Sequence, residues 1–93
     1  MTSISTYAQE RISFYEARFN TETNHQLAID FTSLSVSRGW TSERSCYSHA
    51  LVCEMERRGM NLSIVVGNKG GATVIHYIPV VYDDTTHAMI PAI

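Results

Sequence analysis

Apolar positions recur at helical spacing through the first two thirds of the chain and at strand spacing through the last third. Ala8, Ile12, Tyr15 and Phe19 form one stripe, widened by Phe14, with Arg11 and Arg18 beside it. Thr6 and Gln9 have capping-box spacing at its start, and "NTETN" ends it near Phe19 or Asn20. Thr23 and Gln26 repeat that spacing before a second stripe of Leu27, Phe31 and Leu34. Ile29 and Val36 point to its opposite side, so this helix is expected to be buried on two faces. It should stop at Gly39, with Arg38 correctly signed for a helix C-terminus. "WTSER" then predicts a third helix capped by Thr41 or Ser42, with Glu43 in its first turn. Its core face is Tyr47, Ala50 and Leu51, flanked by Cys46 and Cys53, and "ERRG" closes it. Trp40 is expected to wedge between the second and third helices.

After Gly59 the period changes. "MNLSIVV" places Leu62, Ile64 and Val66 on one strand face and Ser63 and Val65 on the other. "ATVIHYI" supplies a second strand. "PVVYDD" continues it after a bend, and "THAMIPAI" shows no clear element. The pattern predicts one α+β domain over 1–93, three helices followed by a C-terminal β-hairpin. Ninety-three residues are too few for two self-supporting cores.

"VVGNKGGATV" is the stretch that most resembles a functional signature. A phosphate-binding loop needs Gly-Lys-Ser/Thr at its end and a helix after it. Here Lys69 precedes the glycine pair and a strand follows, so the glycines are read as chain reversal with Lys69 solvated at the tip.

Charge and composition narrow the classes further. The formal net charge is -2, with 44% apolar and 17% charged residues. That balance offers no general attraction to nucleic acid or an acidic membrane. No apolar run approaches the roughly 18 residues of a membrane span. The start of the chain lacks the basic and apolar regions of a secretory signal, so an intracellular setting is expected, with Cys46 and Cys53 reduced. Seven residues apart on one helix, those cysteines are separated by about 10 Å along its axis, too far for a disulfide.

Cys46, His49 and Cys53 stand at i, i+3 and i+7, and His76 is a conceivable fourth ligand. The sulfur spacing argues against one metal ion, and these residues are read as a packing face. Nothing marks an oxyanion site or a third group to orient a Cys–His pair. The expectation is therefore a protein without catalytic residues, metal, cofactor or small-molecule ligand.

Two functions remain. The first is protein–protein interaction, with another protein or a second copy. Apolar residues on both faces of the hairpin make Leu62, Ile64, Val65, Ile75, Tyr77 and Trp40 the expected contacts. Two-fold pairing of hairpins would build a four-stranded sheet across a homodimer. The alternative is a winged-helix-like nucleic-acid binder. Arg44 and Ser45 would approach a groove from the third helix, and Arg38 and Lys69 would touch phosphate. The sparse basic content weighs against it.

Overall fold

The structure is a computed structural model that describes residues 6–37, 39 and 41–92. Three helices, α1 (Thr6–Asn20), α2 (Asn24–Val36) and α3 (Ser42–Arg57), precede two hairpins. The first joins β1 (Val66–Lys69) to β2 (Ala72–Ile75), and the second joins β3 (Val80–Asp83) to β4 (Ala88–Pro91). The α+β reading, helices first and hairpin after, is what the chain adopts.

Two of the capping signals act as their chemistry requires, while α2 ends at Val36, short of the expected stop at Gly39, because Ser37 is already extended and its amide returns to the Leu34 carbonyl. The Thr23 hydroxyl accepts the Gln26 amide at 3.1 Å, and the Thr41 hydroxyl accepts that of Arg44 at 3.1 Å. Each satisfies a first-turn N–H that has no partner within the helix. Gly59, at φ 75°, reverses the chain after α3 in the left-handed region.

The third helix is the centre of the molecule. Cys46, Ala50, Leu51, Val52 and Met55 are all buried on it. Against it pack Tyr15 and Phe19 of α1, and Leu27, Ala28, Phe31 and Leu34 of α2. The rings of Tyr15 and Phe19 each meet the Tyr47 ring edge-on, at 5.0 and 5.1 Å. At the far end of α3, Glu54 is 2% exposed yet carries a carboxylate. Arg57 and Arg58 both donate to it. Arg58 also donates to the Asn24 side chain at 2.8 Å and the Phe19 carbonyl at 2.9 Å. A buried charge needs a partner of opposite sign, and this one fastens the ends of three helices together.

The strand region departs from expectation in two ways. Residues 62–66 form a tight turn rather than the start of a strand, because the Val65 and Val66 amides both donate to the Leu62 carbonyl, at 2.9 and 2.8 Å. Asn61 begins it, its side chain accepting the Ser63 amide at 2.9 Å. Leu62 and Val65, three apart, then both turn inward. The apolar tail also forms a second antiparallel hairpin, with Val81 opposite Ile90 and Asp83 opposite Ala88. Asp83 organises its loop by accepting from the Thr85 amide and the Thr86 hydroxyl. His87 closes the loop at φ 51°. Its Nε2 donates to the Arg58 carbonyl at 2.8 Å, which leaves Nδ1 to accept the Tyr82 hydroxyl.

Candidate interaction surface

The second apolar face of α2 is not buried as expected, because nothing among the described residues packs over it. Leu27, Phe31 and Leu34 point into the core, whereas Ile29 is 57% and Val36 71% exposed on the opposite side. Ser33 lies between them and returns its hydroxyl to the Ile29 carbonyl at 3.1 Å, so its polar group is already satisfied. Beside this face runs β3, whose Val80 and Tyr82 face inward and whose Val81 is 45% exposed. Across the hairpin Val81 meets Ile90, itself 37% exposed. A shallow hollow of about 350 Å³ lies where α2 and β3 meet, with Ile29, Val36, Val81 and Ala92 in its walls. No charged side chain lines it.

Thr32 holds the two elements in this relation. Its hydroxyl accepts the Val80 amide and donates to the Val80 carbonyl, both at 2.9 Å. A helix side chain thereby completes the hydrogen bonding of one residue on a strand edge, where an unpaired backbone would otherwise face solvent.

The contacts expected from sequence lie elsewhere. Val65 is wholly buried and Leu62 7% exposed, so both belong to the core and not to a free strand face. The turn at 62–66 is the reason, since it replaces the strand's two-residue period with a three-residue step. Ile64, Ile75 and Tyr77 are half-buried against the same core. Tyr77 stacks on Phe31 with centroids 5.6 Å apart, and its hydroxyl meets the Ser48 hydroxyl at 2.7 Å. Arg38 and Trp40 lie outside the described residues.

The basic residues expected at a nucleic acid are dispersed. Arg44 turns back from the start of α3 and donates to the carbonyls of Leu34 at 2.7 Å, Gly39 at 2.8 Å and Ser37 at 3.3 Å. These are the end carbonyls of α2 and the turn after it, which a cation favours. Ser45 is half-buried. Lys69 stands exposed at the tip of the first hairpin, opposite Ala72, with Gly70 and Gly71 between them at φ 61° and 86°. Two successive positive φ angles match a type I′ turn, the chain reversal expected of this glycine pair.

A groove of about 330 Å³ separates α3 from the first hairpin and contains His49, Cys53 and Glu56. The Cys53 sulfur lies 3.6 Å from His49 Nε2. Burial, then the negative charge of Glu56, push the Cys53 thiol up, away from the thiolate. Cys46 is buried on the core side of the helix and approaches the Ala8 carbonyl. Among the described residues, no three His, Cys, Asp or Glu side chains converge on a metal position.

Both ends of α1 are held by carboxyl groups. At its start Glu43 accepts from Arg11 Nε and the Tyr7 hydroxyl, each at 2.8 Å, and from Tyr15. The Arg11 hydrogen bond, with those of Tyr15 and Tyr7, holds the Glu43 carboxyl down at about 2. Their hydrogen bonds to Glu43 in turn raise both phenols, against the opposing influence of Arg11. Beyond the other end of α1, Glu22 turns inward toward Asp30 of α2.

These features define a small α+β domain, a three-helix core carrying two separate hairpins. Comparison of the chain with protein-family models, curated proteins and solved structures finds no match. No described helix is long and apolar enough to cross a membrane.

Proposed function

We propose that the protein is a non-enzymatic interaction module that associates with a second copy of itself through α2 and the C-terminal hairpin β3–β4. The observation that carries this reading is the uncovered second face of α2, Ile29 and Val36, continuous with Val81 and Ile90. Fully burying a side chain of this kind stabilises by about 1.5–3 kcal/mol. A two-fold contact sets one patch against a copy of itself, so a patch of a single charge sign would repel itself. The hollow lined by Ile29, Thr32, Ser33, Val36, Val80, Val81 and Ala92 carries no charge to do so. Face packing also fits better than edge pairing here, because Thr32 already holds Val80 and Asn61 bridges to Ala88 on the opposite edge.

Sedimentation velocity across a concentration series tests the reading. The wild-type chain should show a concentration-dependent dimer, and Ile29→Glu and Val81→Lys should each weaken it by at least about tenfold, or 1.4 kcal/mol. Both positions are exposed, so circular dichroism should show the fold unchanged. A chain that stays monomeric up to about 1 mM would overturn self-association.

A further inference from the structure

Glu22 sits in the corner between α1 and α2, and its side chain is only 16% exposed. Asp30, two helical turns into α2, is 6% exposed. One oxygen of each has a donor. Arg18 Nε reaches Glu22 Oε2 at 3.4 Å, and Gln26 Nε2 reaches Asp30 Oδ1 at 3.1 Å. The other two, Glu22 Oε1 and Asp30 Oδ2, are buried with no donor from elsewhere in the described residues. Two ionised carboxylates in this position would bury like charges together and leave both oxygens unsatisfied. One proton removes both penalties, because a protonated carboxyl donates where a carboxylate only accepts.

We infer that Glu22 keeps its proton and donates it to the Asp30 carboxylate, so that the α1–α2 corner is a pH-sensitive joint. Burial is the largest influence raising the Glu22 carboxyl, followed by its hydrogen bond to Asp30 and the Asp30 charge. Arg18 faces the pair from α1 and opposes the shift, its side chain 51% exposed and its attraction correspondingly screened. Tyr47 faces it from α3 as a neutral phenol, since burial and then Asp30 push it up to about 12. Gln26 contributes a donor without charge.

An acid that binds its proton more tightly when folded stabilises the fold below the unfolded carboxylate value. That contribution is lost as pH rises through the folded value. The corner therefore contributes most to stability in mild acid and least above neutrality.

Carbon-13 NMR titration of the Glu22 carboxyl, paired with thermal melts between about pH 5 and pH 8, tests this. The Glu22 midpoint should lie more than about one unit above an ordinary glutamate. The melting temperature should fall as pH rises across that window. Glu22→Gln keeps a donor at all pH values and should remove the fall. Asp30→Asn can donate to an ionised Glu22 and should return its midpoint toward the ordinary range, a readout available even if Glu22→Gln folds poorly. An ordinary Glu22 midpoint, or parallel melting profiles for wild type and Glu22→Gln, would overturn the joint.

Discussion

Arg44 Nη2 donates to the Leu34 carbonyl at 2.7 Å, so the first turn of α3 is tied to the last turn of α2 ten residues earlier. The guanidinium acts as the closing cap of the preceding helix, a role that needs its fork of donors and that a lysine cannot copy. Arg44→Ala should lower stability by about 1–3 kcal/mol, because hydrogen bonds to charged groups are lost and carbonyls at the helix end are left to water. Urea denaturation checks this. An undiminished midpoint would show that the three bonds add nothing.

Glu43 gives the opposite pH response to Glu22. Its carboxyl is held down at about 2 by Arg11, Tyr15 and Tyr7. A depressed acid stabilises the fold above its unfolded value, and the benefit is lost as pH falls from about 4.5 towards 2. Glu43→Gln should flatten that acid limb in melts followed by circular dichroism, while leaving the behaviour near neutrality to Glu22.

The glycine pair at the first hairpin makes a sharp comparison. Type I′ turns accept Asn-Gly as readily as Gly-Gly, so Gly70→Asn should leave stability within about 0.5 kcal/mol of wild type. Gly71→Val places a β-branched residue at φ 86° and should cost about 1–2 kcal/mol. Denaturant midpoints of the two variants should separate. Coincident midpoints would argue against the turn type.

Cysteine chemistry should distinguish the two thiols. Cys46 is buried, and Cys53 is half-buried with its thiol pushed up. The thiolate is the nucleophile, so Cys53 should react with iodoacetamide more slowly than a free cysteine at neutral pH and faster as pH rises. Cys46 should be modified only on unfolding. Mass spectrometry of timed reactions follows both.

The helices are legible in the sequence because their apolar stripes are periodic and the starts of α2 and α3 carry their own caps. Thr23, Thr41 and Gly59 act locally, and the stripes beginning at Ala8 and Leu27 need only a core to face. The hairpin regions are less legible because their geometry depends on distant partners. Asn61 forms its side-chain turn while its backbone accepts the Met89 amide and donates to the His87 carbonyl. That pairing across the chain decides that Leu62 and Val65 share the inward side. A Lys at Val65 would therefore bury a charge and unfold the domain rather than disturb a surface. The second hairpin is not legible, because "PVVYDD" reads as a continuation of the strand before it, "THAMIPAI" shows no strand period, and the closure needs a left-handed histidine, a conformation rare outside glycine. The candidate surface was half visible, since Ile29 and Val36 stand out from the α2 stripe. The pairing of α2 with β3 was not, because a threonine hydroxyl bridging 48 residues leaves no periodic trace.

That hydroxyl sets the mechanics of the apolar surface. With Thr32 engaged at both polar groups of Val80, the helix and hairpin are tied at the residue beside Val81, which favours a constant spacing between Ile29 and Val81. In the proposed dimer, a second copy would meet a shape already set. The ordering cost that usually weakens a small interface is met when the chain folds, leaving more of the contact energy for association.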